Sequence, residues 1–143
     1  MSAAYRCWIA AVSAPTVALG ELPFSALSYN SVLNGSATAS VDLPLSSFAN
    51  DTMAIAPGST VLWIERDGAL VFGGIVWTMG GNVAGNGLKL NAGDFMSYYA
   101  RRVLRSTLTY SGIDSHVIAR GIIDAANGET DALSIVGTAD TST

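Results

Sequence analysis

A chain of 143 residues suits one domain with room for a small appendage, and a domain of that size can fold around its own core without a metal or a disulfide. Hydrophobic residues make up 50% of it and charged residues 13%, against a usual charged share of about 25%, and the formal net charge is -4. This balance gives little support to nucleic-acid binding by phosphate neutralisation, and the shortage of charge points to a surface that lies largely against neighbouring subunits.

In chain order, residues 5–12 read as a first strand, aromatic and apolar, which Ala14-Pro15 ends. The lone Cys7 excludes an internal disulfide and reads as a small buried residue of that strand. Residues 1–6 lead into too short an apolar run for a signal peptide, so synthesis and assembly in a cytoplasm are expected. Residues 19–24 are an irregular lead-in. Residues 26–32 form a second strand, and Leu33, Asn34 and Gly35 a turn, since Asn-Gly tolerates the positive φ of tight hairpins. Residues 36–43 alternate, with Ala37, Ala39, Val41 and Leu43 on one face, as in a half-buried strand that Pro44 closes. Residues 46–54 suit one or two helical turns.

Residues 60–65 and 69–79 are strands joined by a hairpin at Asp67-Gly68; both are apolar on both faces and belong at the centre of a sheet. Gly73-Gly74 predicts a bulge or sharp bend in the second of them. Residues 80–87 are a glycine- and asparagine-rich hairpin loop. They lack the Gly-Lys-Ser/Thr ending of a phosphate cradle. Residues 88–92 return as a strand. Asp94 caps a short helix over 95–101, residues 103–110 alternate like a strand, and Asp114 caps the clearest helix, 115–127, with Gly128 as its stop. The expectation is a mainly β domain with one or two helices: a curled antiparallel sheet or split β-barrel over residues 1–128 with the 115–127 helix packed on it. Residues 129–143 are expected to be a tail or the lead-in to a further domain.

No catalytic constellation emerges. His116 is the sole histidine and reads as a helix-surface or interface residue, because usual metal-ligand spacings are absent. The acids sit mostly at turns and caps. Only Glu65, in the Asp67 hairpin, could serve as a wall-hydrolase acid, and no second carboxylate supports it. Trp63 and Trp77 suit the core, and Trp63, Trp77, Tyr98 and Tyr99 could alternatively form a sugar-stacking surface. Tyr98, Tyr99, Arg101, Arg102 and His116 are the candidate subunit-interface residues. Leu33, Asn34, Gly35, Asp67, Gly68, Gly73, Gly74 and Trp77 are structural. The expectation is a non-enzyme with no cofactor or metal.

Four segments taken together carry a resemblance: residues 24–44 (a strand, a Leu-Asn turn and a small-residue strand ending in Leu43-Pro44), 57–77 (Pro57-Gly58, a strand, Asp67-Gly68, a strand, then Gly73-Gly74-Ile75), 98–104 and 107–114. In order and spacing they resemble bacteriophage minor tail and baseplate hub (tail-tip) proteins of long-tailed, siphovirus-type phages infecting actinobacteria. The resemblance covers residues 20–125. It implies a structural virion protein, a β-barrel-like hub domain forming a homo-oligomeric ring, commonly a trimer, that closes the tail tube and anchors fibre or spike. Its implied partners are other copies of itself, the distal tail protein, the tape measure protein and the fibre or spike. Its implied location is the virion tail tip, after synthesis in the host bacterium. A carbohydrate-binding module that reads the host cell wall is the alternative, ahead of a wall hydrolase.

Overall fold

A computed structural model describes residues 3–33, 35–44, 55–82 and 87–128. The chain divides into two compact units, Met1–Tyr98 and Tyr99–Thr143.

The first unit is one antiparallel sheet of seven strands. They are β1 (Tyr5–Ala11), β2 (Ala14–Glu21), β3 (Ala26–Tyr29), β4 (Thr38–Pro44), β5 (Thr60–Arg66), β6 (Ala69–Asn82) and β7 (Gly87–Asp94). Their order across the sheet is β2-β1-β5-β6-β7-β4-β3. The expected mainly β class, antiparallel pairing and central position of the 60–65 and 69–79 strands all hold. The sheet is not closed into a barrel, since no ladder joins β2 to β3.

The sheet nevertheless curls strongly, because its buried face has only itself to cover it. Cys7 and Ile9 of β1, Leu62 and Ile64 of β5, Phe72 and Val76 of β6, Leu90 and Ala92 of β7, and Ala39, Val41 and Leu43 of β4 form one cluster of buried side chains. Alternation along each strand puts all of them on one face. The rings of Tyr5 and Tyr29 meet edge-on at 6.3 Å, although four strands separate β1 from β3 in the sheet order. Residues 22–25 bridge the seam. Leu22 N donates to Cys7 O and Ser25 N to Asp42 O, each at 2.8 Å, and the Leu22 side chain is buried in the core.

Several local expectations need correction. Residues 14–21 are a strand rather than a strand end and a lead-in. Pro15 is tolerated because β2 is an edge strand, where a missing N–H breaks no ladder. Gly73-Gly74 is neither bulge nor bend: Trp63 pairs with Gly73 and Leu62 with Gly74 in regular register. The irregularities lie on either side, between Ile64 and Glu65 and at Trp77. The two glycines answer close packing instead. A Cβ on Gly73 would overlap the Trp63 ring, and one on Gly74 would overlap the Gly93 carbonyl. Trp63 and Trp77 do not join the main core; they are half-buried on the opposite face. Strand parity decides this, since Leu62 and Ile64 take the core side.

The Asp67-Gly68 hairpin is as expected, with φ of 52° and 79°, the positive pair that a type I′ turn requires. The expected 80–87 loop is shorter: β6 runs on through Gly80 and Gly81 to Asn82, which pairs with Gly87 of β7, and residues 83–86 lie outside the described residues. Residues 46–54, Asn34, Asn86 and 129–143 lie outside the described residues. Leu33 is exposed, and a Cβ on the neighbouring Gly35 would press on Val32 at 3.0 Å.

Asp94 caps α1 (Met96–Tyr99), shorter than the expected 95–101 helix, by accepting from Ser97 N at 3.1 Å. In the second unit, residues 103–110 form no strand. Leu104, Leu108 and Tyr110 are the less exposed positions among them, but no ladder joins them to another strand among the described residues. The Tyr110 hydroxyl rests against Gly121 of α2 (Ser115–Gly128), where a Cβ would overlap it. Asp114 caps α2 as expected, accepting from His116 N at 2.8 Å.

Gly73→Ala and Gly74→Ala should each destabilise the first unit by about 1–3 kcal/mol through overpacking. Gly80→Ala, where a Cβ meets nothing within 4 Å, should leave stability unchanged or raised. Urea melts of the three variants check this order, and equal melts would contradict the packing account.

Candidate functional site

The outer face of the sheet divides in two. On the β1-β5-β6 side it is aromatic and apolar. Trp8 stacks on Trp63 at 5.5 Å, and Phe95 tilts against Trp63 at 5.6 Å. The Trp63 indole N–H donates to Pro15 O at 2.8 Å, tying β2 across the face of β1. Trp77 donates to the Ser97 hydroxyl at 2.7 Å. On the β7-β4-β3 side the same face is polar: Ser28 pairs with Ser40, Ser40 with Asn91 and Asp42 with Lys89.

A network of opposed charges on this face joins β1, β2 and β5. Arg6 makes a two-point contact with Glu21, at 3.2 Å from Nε and 2.8 Å from Nη2. Glu65 takes the Trp8 indole N–H at 3.1 Å on one oxygen and lies 3.7 Å from Arg6 Nη1 through the other. The hydrogen bonds from Arg6 hold the Glu21 carboxyl below the usual carboxylate range, partly opposed by desolvation. Glu65, the sequence candidate for a hydrolase acid, is therefore a structural acceptor between a tryptophan and an arginine. Cys7 is buried beneath this region, and burial, aided by the nearby Glu21 charge, pushes its thiol up to about 11. A thiol so placed is a weak nucleophile. Among the described residues, no group of three or more metal-ligating side chains comes together.

The candidate interface residues differ in burial. Tyr98 is only 3% exposed, so its ring is interior and offers neither an interface nor a sugar platform. Tyr99 is half-buried and Arg101 exposed. Arg102 donates to Ala126 O at 3.2 Å and so braces its own unit. His116 is exposed, with Nδ1 2.9 Å from the Asp114 carboxylate, at the start of α2.

What sequence reading missed is the sheet margin. β2 is an edge with no charged residue from Ala14 to Gly20, and Val17 and Leu19 on it are 58% and 56% exposed. Pro15 and the irregular register around Leu19 make its backbone a poor template for another strand. Its offering is apolar side chains. A second margin belongs to β6, which outruns β5: pairing with β5 stops at Ile75, while pairing with β7 continues to Asn82. The stretch 78–82 carries no charge, proline or further register shift on its open side. The available signal for β2 was the uncharged run 14–20, hidden by its two breaker residues, Pro15 and Gly20. In the second unit, α2 buries only Ala126, and Val117 and Ile122 of its apolar stripe remain 53% and 42% exposed.

No protein-family model matches the chain, and no curated protein matches it.

The Glu21 carboxyl has a depressed folded-state pKa, so the ion pair stabilises fully above the unfolded glutamate value of about 4.3 and is lost as pH falls through the folded value. In an NMR titration, Arg6→Gln should move the Glu21 midpoint up toward the ordinary range. An unmoved midpoint would show that Arg6 is not the cause.

Proposed function

We propose that this chain is a structural subunit of a phage tail tip, joining other copies of itself and further tail proteins into a hub ring of the virion rather than carrying out chemistry. The observation that carries the assembly reading is the uncharged, apolar margin of the sheet, Val17 and Leu19 on β2 with the open stretch 78–82 on β6. The viral part of the reading rests on the ordered sequence resemblance over residues 20–125.

The reading is supported by economy of charge. Among the described residues, twelve large hydrophobic side chains are exposed, from Val17 to Ile122. Scattered apolar residues are normal on a surface, but here they coincide with a charged fraction of 13% and with open strand edges. Apolar burial drives obligate association, and charged residues are depleted at the centres of such interfaces. The titratable groups at the sheet's outer face are spent on one another, as Arg6, Glu21 and Glu65 are.

Light scattering coupled to size exclusion should give a mass above one chain, rising with concentration across the micromolar range. Leu19→Lys should shift that transition to higher concentration while leaving the far-ultraviolet spectrum unchanged. A monodisperse monomer throughout would overturn the assembly reading. Electron microscopy of particles labelled with an antibody to this chain checks the viral part, with signal expected at the tail tip.

A further inference from the structure

Three of the chain's charged side chains converge in one place. Arg6, Glu21 and Glu65 come from three strands and share a concavity of about 310 Å³ with Trp8, Leu19 and Gly20. The chain has seven basic and eleven acidic residues in all, so this is a large commitment of charge. Stability does not call for it. The ladder between β1 and β2 and the Trp63 bond to Pro15 O already hold β2. An exposed ion pair adds about 0–1 kcal/mol, and the Arg6 and Glu21 side chains are 60% and 53% exposed.

The three charges satisfy one another, but not to capacity. Arg6 directs two of its N–H bonds at Glu21, one from Nε and one from Nη2. Nη2 and Nη1, the latter 3.7 Å from Glu65, keep further donors. Each carboxylate oxygen can accept more than one hydrogen bond. The result is an array in which N–H donors and carboxylate acceptors stand side by side. Adjacent hydroxyls on a ring answer that pairing, since each can donate to a carboxylate while accepting from a guanidinium. Beside the array are two apolar surfaces. Trp8 is oriented by its N–H bond to Glu65 and its stacking on Trp63, and Leu19 is 56% exposed. A ligand with hydroxyls on one edge and C–H groups on a face matches both parts. One guanidinium against two carboxylates leaves a net negative charge, which disfavours an anionic ligand.

We propose that this concavity binds a neutral pyranose sugar, with a vicinal diol on Arg6 and Glu21 and the C–H face of the ring against Trp8 and Leu19. Glu65 sets the Trp8 ring from beneath and lies beside Arg6. The tryptophan that has charged partners for a diol is thus Trp8, rather than Trp77, whose indole N–H goes to Ser97. The site lies within a single copy and is independent of the assembly reading above, so the failure of either leaves the other intact.

The test titrates methyl β-galactoside, methyl β-glucoside and methyl α-mannoside, whose diols differ in orientation, separately into the isotope-labelled full chain. NMR follows the indole N–H signals of Trp8, Trp63 and Trp77. At least one sugar should move the Trp8 signal saturably, with a dissociation constant in about the millimolar range, and leave the Trp77 signal in place. Tetrahydropyranylmethanol keeps the ring and its C–H groups but has no diol, and it should bind about tenfold more weakly or worse. Glu21→Gln keeps the size of the side chain and removes its charge; it should raise the dissociation constant about tenfold with the urea melt unchanged. If none of the three sugars moves the Trp8 signal saturably, the proposal is wrong. It is equally overturned if the diol-free ether binds as well as the sugars, or if a normally melting Glu21→Gln chain binds them as well as wild type. Should Glu21→Gln melt lower than wild type, the comparison of sugar with ether decides.

Discussion

A single sheet that must bury one face without a second sheet to cover it is the constraint from which the first unit follows. The largest cluster of core side chains on β1, β4, β5, β6 and β7 comes from that one face, while Ala10, Val61 and Ile75 are buried on the other. Apolar area of this kind leaves water only if the sheet curls until its far strands meet. Tyr5 against Tyr29 marks where they do. The curl is obtained from irregular register at Ile64/Glu65 and around Trp77, because an extra residue bends the strand that carries it. Between those points β5 and β6 run in regular register, and the space there is so tight that Gly73 and Gly74 are the residues that fit.

Curling without closing has a cost at the margins. A closed barrel has no edges, whereas this sheet keeps β2 and β3 as edges and lets β6 outrun β5. The seam beside β3 is bridged by residues 22–25, with Leu22 sealing the core. β2 is held down by Trp63 through the Pro15 carbonyl and by Arg6 through Glu21. Among the described residues, the end of β6 is paired with β7 alone.

Much of this was legible in the sequence where local chemistry decides. The Asp67-Gly68 turn, the buried Ala39-Val41-Leu43 face and the Asp114 cap each depend on a few adjacent residues, and each is as expected. The misreadings share a cause, which is dependence on a distant neighbour. Pro15 looked like a strand end because nothing local says that its missing N–H faces away from β1. Residues 103–110 alternate like a strand, but alternation needs a partner to become a ladder, and none joins them among the described residues. Tyr98 and Trp77 were assigned by residue type, although their burial is set by strand parity and by the turn at Asp94. Of the candidate interface, the sequence indicated the shortage of charge but not its location.

Location matters because desolvation is selective. Covering the Arg6-Glu21-Glu65 network with another protein would strip water from three charges already satisfied within the chain, and their mutual attraction would have to offset that loss. The runs 14–20 and 78–82 carry no charge of their own, with Glu21 at the end of the first and Lys89 across from Gly80 in the second. Their exposed aliphatic side chains and backbone lose little by leaving water when apolar area or hydrogen-bond partners replace it. On this sheet, then, the least costly surfaces to bury are its unfinished edges. The same curvature that encloses the core without a second layer leaves those edges available to a neighbour.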